Sequence, residues 1–201
     1  EVFVAAEDQE IIDDVKKNGG QAILTNNNHK TGTDRINEAL IKIGKKDIEL
    51  IMNLQGDEPL MDVNDIRNLH KQMIRTKCKL GTLASNISDE KTYYDENTVK
   101  VITKNELDYS KFPEALNFVR RLSDKRENTY HHLGIYCYQF ETLKKFVLFD
   151  QSQNEIENKL EQLRALDNNI NINVAFAKTS PIGVDTMEDF VAIKRIMEYK
   201  S

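Results

Sequence analysis

A chain of 201 residues, 39% of them hydrophobic, is long enough to bury one good core and points to a single domain, residues 1–201, rather than two independent ones. Its 28 basic and 33 acidic side chains are interspersed without a basic block, which leaves no support for a nucleic-acid or membrane-surface partner and suits binding of small molecules. Cys78 and Cys137 lie outside any Cys-x-x-Cys spacing, and no apolar run forms a spanning helix or signal peptide, so a reducing, cytoplasmic setting is expected.

The chain opens on Glu1-Val2-Phe3-Val4-Ala5-Ala6, a strand already in progress, so it is expected to start in the middle of a domain. Ile11, Ile12 and Val15 at helical spacing predict a helix over 9–17, closed by Asn18-Gly19-Gly20, where glycine is the natural left-handed stop. A strand over 21–25 and a polar loop over 26–33 lead to a helix from about Asp34 to Gly44, with Thr33 or Asp34 as N-cap. Residues 48–54 read as a strand buried on both faces, which stops abruptly at Gln55-Gly56-Asp57-Glu58-Pro59. Asp62 then caps an amphipathic helix to about Thr76.

Beyond it, strands are expected over 80–87, 99–103, 116–120 and 131–138, with a short helical turn opening at Asp89 and a charged, mobile loop over 121–130. Helices over 142–149 and 155–166, a strand over 172–177 and a closing helix over 186–199 complete the chain. The alternation of strand and helix is the α/β signature.

The acidic turn sits at the carboxyl end of a core strand, the edge at which open α/β sheets bind ligands. Gly56 lets the backbone turn or approach a ligand, Pro59 holds Glu58 extended, and Asp57 is a candidate metal ligand; a plain solvated turn is the competing reading. Thr31-Gly32-Thr33 precedes a helix N-terminus whose free N–H groups and hydroxyls suit a nucleotide's polar groups, against ordinary capping. His132 and Tyr136 share one face of their strand with Gly134 between them, leaving room for a ligand. Glu161 and Gln162 sit beside the Leu160, Leu163, Leu166 stripe, where polar residues are ordinarily solvated, and Asp185 stands at the entrance of the last helix, where capping is the plain explanation.

Taken together and in order, His29-x-Thr-Gly-Thr-Asp-Arg35, Asn53-Leu-Gln-Gly-Asp-Glu-Pro59, His132-Leu-Gly-Ile-Tyr136, Leu160-Glu-Gln-Leu-Arg164 and Gly183-Val-Asp-Thr186 resemble the motif series of the 3-deoxy-manno-octulosonate cytidylyltransferases. The resemblance runs from the first residue to the last helix. It implies a three-layer αβα, nucleotide-diphospho-sugar transferase-like (Rossmann-like) fold with a mostly parallel sheet. A smaller β-rich excursion over 88–150 would cover the sugar and build a homodimer.

It also implies transfer from CTP to the acid sugar Kdo for lipopolysaccharide biosynthesis, with Asp57 and Asp185 as catalytic ligands of Mg²⁺. Thr31, Gly32, Thr33, Arg35 and Gln55 would meet the nucleotide. Gln55, Arg120, His132, Tyr136, Glu161 and Gln162 would line the sugar pocket.

Two departures stand out. The arginine-rich triphosphate loop that such enzymes carry near their start has no counterpart here, so the chain is expected to begin after it, with activity reduced or lost. At Phe118-Val119-Arg120-Arg121-Leu122 the family's Phe-Ser-Arg followed by Ile-Pro is altered, and Arg120 is carried over across that change as a sugar carboxylate contact. A sister enzyme for sialic acid or an amino variant of Kdo, and a non-catalytic nucleotide-binding fragment, are the alternative readings.

Overall fold

The computed structural model describes residues 1–45, 47–180, 183–184 and 186–198. Local sequence fixes the first units. Strand β1 (Val4–Ala6) leads into α1 (Gln9–Lys17), where the Asp8 carboxylate accepts from the Glu10 N–H at 2.9 Å, and Gly19 at φ +81° ends the helix as its sequence requires. β2 (Ala22–Leu24) returns parallel to β1, in register Val4 to Ala22. Helix α2 (Gly32–Ile43) starts two residues earlier than its periodicity implies: Thr31, not Thr33 or Asp34, is the N-cap, its hydroxyl accepting from the Asp34 N–H at 3.3 Å. Left-handed Gly44 closes it.

The larger sheet contains β3 (Leu50–Asn53), β4 (Leu80–Ser85), β5 (Lys100–Thr103), β6 (Ala115–Val119), β7 (Thr129–Gln139) and β8 (Ile172–Phe176). Its path is β6-β5-β7-β4-β8, with β3 also on β7. Among the described residues the β1–β2 and β4–β8 pairs run parallel and β3 shares the sense of β4 and β8, while β7 runs against β3, β4 and β5, so the sheet is a parallel set interrupted by one antiparallel strand and extended by the excursion. The excursion's strands continue this sheet, because β7 is long enough to pair with both parts.

β7 forks the sheet. On one edge it keeps β4 throughout; on the other its first half pairs with β5 (Lys100 to His131) and its second with β3 (Asn53 to Tyr136). At the fork, Thr82 pairs with Tyr136 but Leu83 with Leu133, so Gly134 and Ile135 bulge out of the β4 ladder. Side chains repair the gap: the Thr82 hydroxyl lies 2.7 Å from the Ile135 carbonyl, and the Gln55 amide donates to the Gly134 carbonyl at 3.3 Å.

Helices cover both faces. α2, α5 (Phe140–Phe146) and α7 (Gln162–Asp167) cover a core of Ile51, Leu80, Tyr136, Tyr138, Leu143, Phe146 and Leu163. Across the sheet, Leu69 and Met73 of α3 (Val63–Thr76) pack on Leu83, Ile135 and Cys137. A Cβ at Gly81 would come within 2.7 Å of Met73 Sδ, which is why α3 can lie this close. The span expected as one helix over 155–166 is two, α6 (Gln153–Asn158) and α7, broken where Lys159 is left-handed at φ 53°. The segment over 121–128 is a loop tied by the Arg126 N–H to the Tyr93 hydroxyl at 2.8 Å, Tyr93 lying on α4 (Glu90–Tyr94). α8 (Met187–Glu198) closes the described chain, and no described helix is long and apolar enough to cross a membrane.

Candidate active site

The carboxyl ends of β3, β4 and β8 share one edge, and the site grows from the turn that leaves β3. Glu58 N–H closes on the Gln55 carbonyl at 3.3 Å. Gly56 has no atom within 4 Å of where a Cβ would stand and its φ is not positive, so what it keeps is open space for a ligand. Asp57 is exposed, and its carboxylate has no hydrogen bond among the described residues. Its carbonyl accepts from the Val184 N–H at 2.8 Å, joining the turn to the segment ahead of α8. Asp185 lies outside the described residues.

Among the described residues there is no group of three or more His, Cys, Asp or Glu side chains able to hold a metal. Mg²⁺ does not need one: it is ordinarily held by one or two carboxylates with the remaining positions taken by phosphate and water, and an open carboxylate on the ligand edge fits that demand. Asp57 opens on a cleft of about 920 Å³ whose mostly apolar walls include Pro59, Phe190, Ile193 and Met197, with Lys194 and Glu198 as its other charged lining.

The loop ahead of α2 is clamped from below. Glu38 accepts from the Asn26 N–H at 2.9 Å, bridges Lys42 at 2.7 Å and meets His29; these bonds hold its carboxyl down at about 2. Arg35 is committed to other groups of the chain, the Asn26 carbonyl of the same loop among them. It donates to the Thr25 hydroxyl at 2.7 Å and pairs with Glu7, tying α2 to the β1–β2 unit. Gly32 is exposed above Asn53, and Thr33 is fully buried with its hydroxyl 3.4 Å from that of Tyr138.

Thr31 and Thr33 converge on Glu161, which opens α7. Burial pushes the Glu161 carboxyl up, with the two threonine hydroxyls pulling the other way, and its Oε1 is buried without a hydrogen-bond partner among the described residues. Gln162, buried, follows it. The facing wall is aromatic: Tyr136 lies 6.1 Å from Tyr138 and 5.6 Å from His132 between ring centroids. The room expected between His132 and Tyr136 is closed by their contact; the space above Gly134 is taken by Gln55, 3.5 Å from a would-be Cβ.

His132 is a neutral ring. Burial, and then the neighbouring His131, lower its pKa to about 3. Thr82 fixes its tautomer: with the hydroxyl proton committed to the Ile135 carbonyl, Thr82 accepts from His132 Nε2 at 2.9 Å, leaving Nδ1 as the acceptor. Arg120 stands apart, capping the end of α6 with bonds from Nε to the Asn158 carbonyl at 3.1 Å and from a terminal nitrogen to that of Lys159 at 3.3 Å. The buried Lys100 ammonium holds Arg120's own carbonyl at 2.7 Å.

The structure thus brings Thr31, Gly32, Thr33, Gln55, His132, Tyr136, Glu161 and Gln162 around the fork in β7, with Asp57 at its rim. It adds Tyr138 and Thr82. Tyr138 was within reach of the sequence, being one step further along the His132–Tyr136 alternation; Thr82 is on another strand and carries no signal of its role.

An α/β sheet with a hydroxyl-bearing helix N-terminus and an open aspartate at its carboxyl edge is the frame of the nucleotidyltransferases, a class of enzymes. The chain belongs to the cytidylyltransferase family, whose model matches residues 1–172. The 3-deoxy-manno-octulosonate cytidylyltransferase of Bartonella tribocorum is 38% identical over 201 residues, covering 97% of this chain and 80% of its own. That of Thermodesulfovibrio yellowstonii is also 38% identical, over 98% of this chain and 81% of its own. A solved structure of CMP:2-keto-3-deoxy-manno-octonic acid synthetase complexed with CTP superposes with a TM-score of 0.88 at 30% identity, covering 100% of this chain and 82% of that one. The 4-diphosphocytidyl-2C-methyl-D-erythritol synthase of Anaerococcus prevotii shares the fold, with a TM-score of 0.61 at 16% identity over 98% of this chain and 81% of that one.

Proposed function

We infer that this chain transfers the cytidylyl group of CTP to 3-deoxy-D-manno-octulosonate (Kdo), releasing diphosphate and yielding CMP-Kdo, an activated sugar for lipopolysaccharide assembly. The observation that carries the reading is Glu161: a buried carboxylate oxygen without a donor among the described residues, facing an aromatic wall, calls for a hydroxyl-rich ligand. The similarity to relatives of that name supports the substrate pair.

In the reaction, the anomeric hydroxyl forms a bond to the α-phosphorus as the bond to the β-phosphate oxygen breaks, and the hydroxyl proton is lost. Little covalent help is needed; alignment decides the rate. Thr31, Gly32 and Thr33 would hold the cytidine at the α2 N-terminus. Glu161, Gln162, neutral His132 and Tyr136 would orient the sugar, and Gln55 stands between the two. Asp57 with Asp185 would hold Mg²⁺, which when bound neutralises triphosphate charge. Arg120, committed to α6, would act on the sugar carboxylate only by exchanging those bonds. Two copies would pair through the excursion, where Leu116 is exposed; light scattering of the purified protein reads that mass.

The deciding assay is diphosphate release by the full-length protein from CTP and Mg²⁺ with Kdo or sialic acid. Release with Kdo is expected; release with sialic acid alone would move the activity to the sister sugar.

A further inference from the structure

We propose that Glu38 is a positioning residue for CTP, holding the loop over 26–30 against α2 so that Thr31, Gly32 and Thr33 are in place before the nucleotide arrives. The inference rests on the cytidylyl-transfer reading above.

The stretch from Asn26 to Lys30 joins the end of β2 to the cap of α2 and carries no apolar side chain. Asn26, Asn27, Asn28 and Lys30 are exposed and His29 is half-buried. A segment with nothing to bury has no packing to hold it in one conformation, so its hydrogen bonds set its path. Those that tie it to α2 converge on one carboxylate. Glu38 accepts from the Asn26 N–H at 2.9 Å and from the Asn26 side-chain amide at 3.2 Å, and the His29 ring donates to it through Nε2. On the side away from the loop, Lys42 bridges Glu38 at 2.7 Å and donates to the Leu24 carbonyl, also at 2.7 Å.

Glu38 lies roughly two turns into α2, so these bonds fold the loop back along the flank of the helix whose N-terminus faces the pocket. Thr31 is held at its own end, its hydroxyl bonded to the N–H and the carboxylate of Asp34 at 3.3 and 3.0 Å. That fixes its rotamer but not the direction from which the chain arrives, which Glu38 supplies through His29, two residues before the cap. Gly32, exposed and without a side chain, has no anchor of its own and follows its neighbours. A loop ordered in advance spares the nucleotide the entropy of ordering it. An ion pair with Lys42 alone would support only the helix; bonds from Asn26 and His29, 12 and 9 positions away, fix the loop as well.

The test compares Glu38→Ala, His29→Ala, the double variant Glu38→Ala/His29→Ala and Lys42→Met in the full-length protein. Alanine keeps α2 helical while removing the carboxylate, His29→Ala removes the loop's side of the same contact, and Lys42→Met removes a Glu38 partner that lies outside the loop. Two quantities are read: the dissociation constant of CTP with Mg²⁺ by isothermal titration calorimetry, and the Michaelis constants for CTP and Kdo.

Glu38→Ala is expected to weaken CTP by about tenfold in both measurements, as the loop is then ordered at the expense of binding, with the Kdo Michaelis constant little changed. His29→Ala is expected to move CTP the same way by less, the double variant to be no weaker than Glu38→Ala alone, and Lys42→Met to bind CTP as the wild type does. Unchanged CTP affinity in Glu38→Ala, or in His29→Ala should the first variant fail to fold, overturns the proposal. So does an equal loss in Lys42→Met, or a rise in the Kdo Michaelis constant as large as that for CTP, which would mark a general loosening. A wild-type protein that binds CTP but does not turn over Kdo would instead remove the substrate reading, while the calorimetric arm still decides the role of Glu38; one that does not bind CTP overturns both.

Discussion

Glu161 and His132 show how burial assigns roles within one pocket. Glu161 keeps a carboxylate oxygen unpartnered while burial raises its pKa, so its charge has a purpose only when a donor arrives. Glu161→Gln is expected to lose about 1.5–3 kcal/mol of charge-assisted bonding to the sugar, roughly ten- to hundredfold in kcat/KM for Kdo, with the CTP Michaelis constant held. Steady-state kinetics with each substrate varied checks this, and an effect confined to CTP would reassign the residue. His132 titrates at about 3 against its ordinary 6.5, so between those values the unfolded chain binds the extra proton. Its contribution to stability is complete above 6.5 and declines as pH falls through that window, by up to about 1.4 kcal/mol per pH unit. Urea unfolding at pH 7.5 and 5 should show this decline, and His132→Gln should flatten it.

Among the elements, α6 and α7 carry the clearest lesson about what a sequence discloses. The Leu160, Leu163, Leu166 stripe is present as expected, yet its spacing runs straight through a break: Lys159 turns left-handed, and the Leu160 N–H closes back on the Glu155 carbonyl at 3.2 Å. No glycine marks that turn. Tertiary contacts hold it instead, through the Arg120 guanidinium over the end of α6 and a buried ion pair across the break. Arg164 donates to Glu155 at 2.7 and 2.5 Å and lies 4.7 Å above the Phe146 ring. Burial alone would raise the Glu155 carboxyl, but the bonds from Arg164, Gln151 and the Ser152 N–H outweigh it and lower it. Arg164→Met would leave that carboxylate buried without its cation, at a cost of about 3–5 kcal/mol, whereas the double variant Glu155→Met/Arg164→Met should recover most of the loss. Denaturant midpoints for the three proteins decide it; equal losses in single and double variants would mean that packing, not charge, holds the pair.

At the scale of the molecule, the α/β layering, the acidic turn and the order of the motifs were all legible, because each is written in contiguous residues: an apolar run, a glycine, a capped helix. What joins them was not. Thr82 holding His132, fifty positions away, and the antiparallel course of β7, whose partners on β3 and β5 lie between 27 and 89 positions away, are long-range pairings, and one sequence has no local pattern that records them. The assembled site makes a global prediction. CTP with Mg²⁺ at a hundredfold over its dissociation constant should add about 2.7 kcal/mol of stability, visible as a raised melting temperature. Asp57→Asn should keep the unliganded melting temperature and lose the part of the rise that depends on Mg²⁺; a full rise in that variant would take Asp57 out of the metal site.

The fork in β7 carries a consequence for how such chains change in length. Gly134 and Ile135 are a two-residue bulge, and because side chains on a strand alternate, an even number of extra residues leaves Tyr130 and His132 on the same side as Tyr136 and Tyr138. Loss or gain of one residue there would turn Tyr130 and His132 toward α3 and present Leu133 to the pocket. Viable insertions and deletions at the fork are therefore counted in twos.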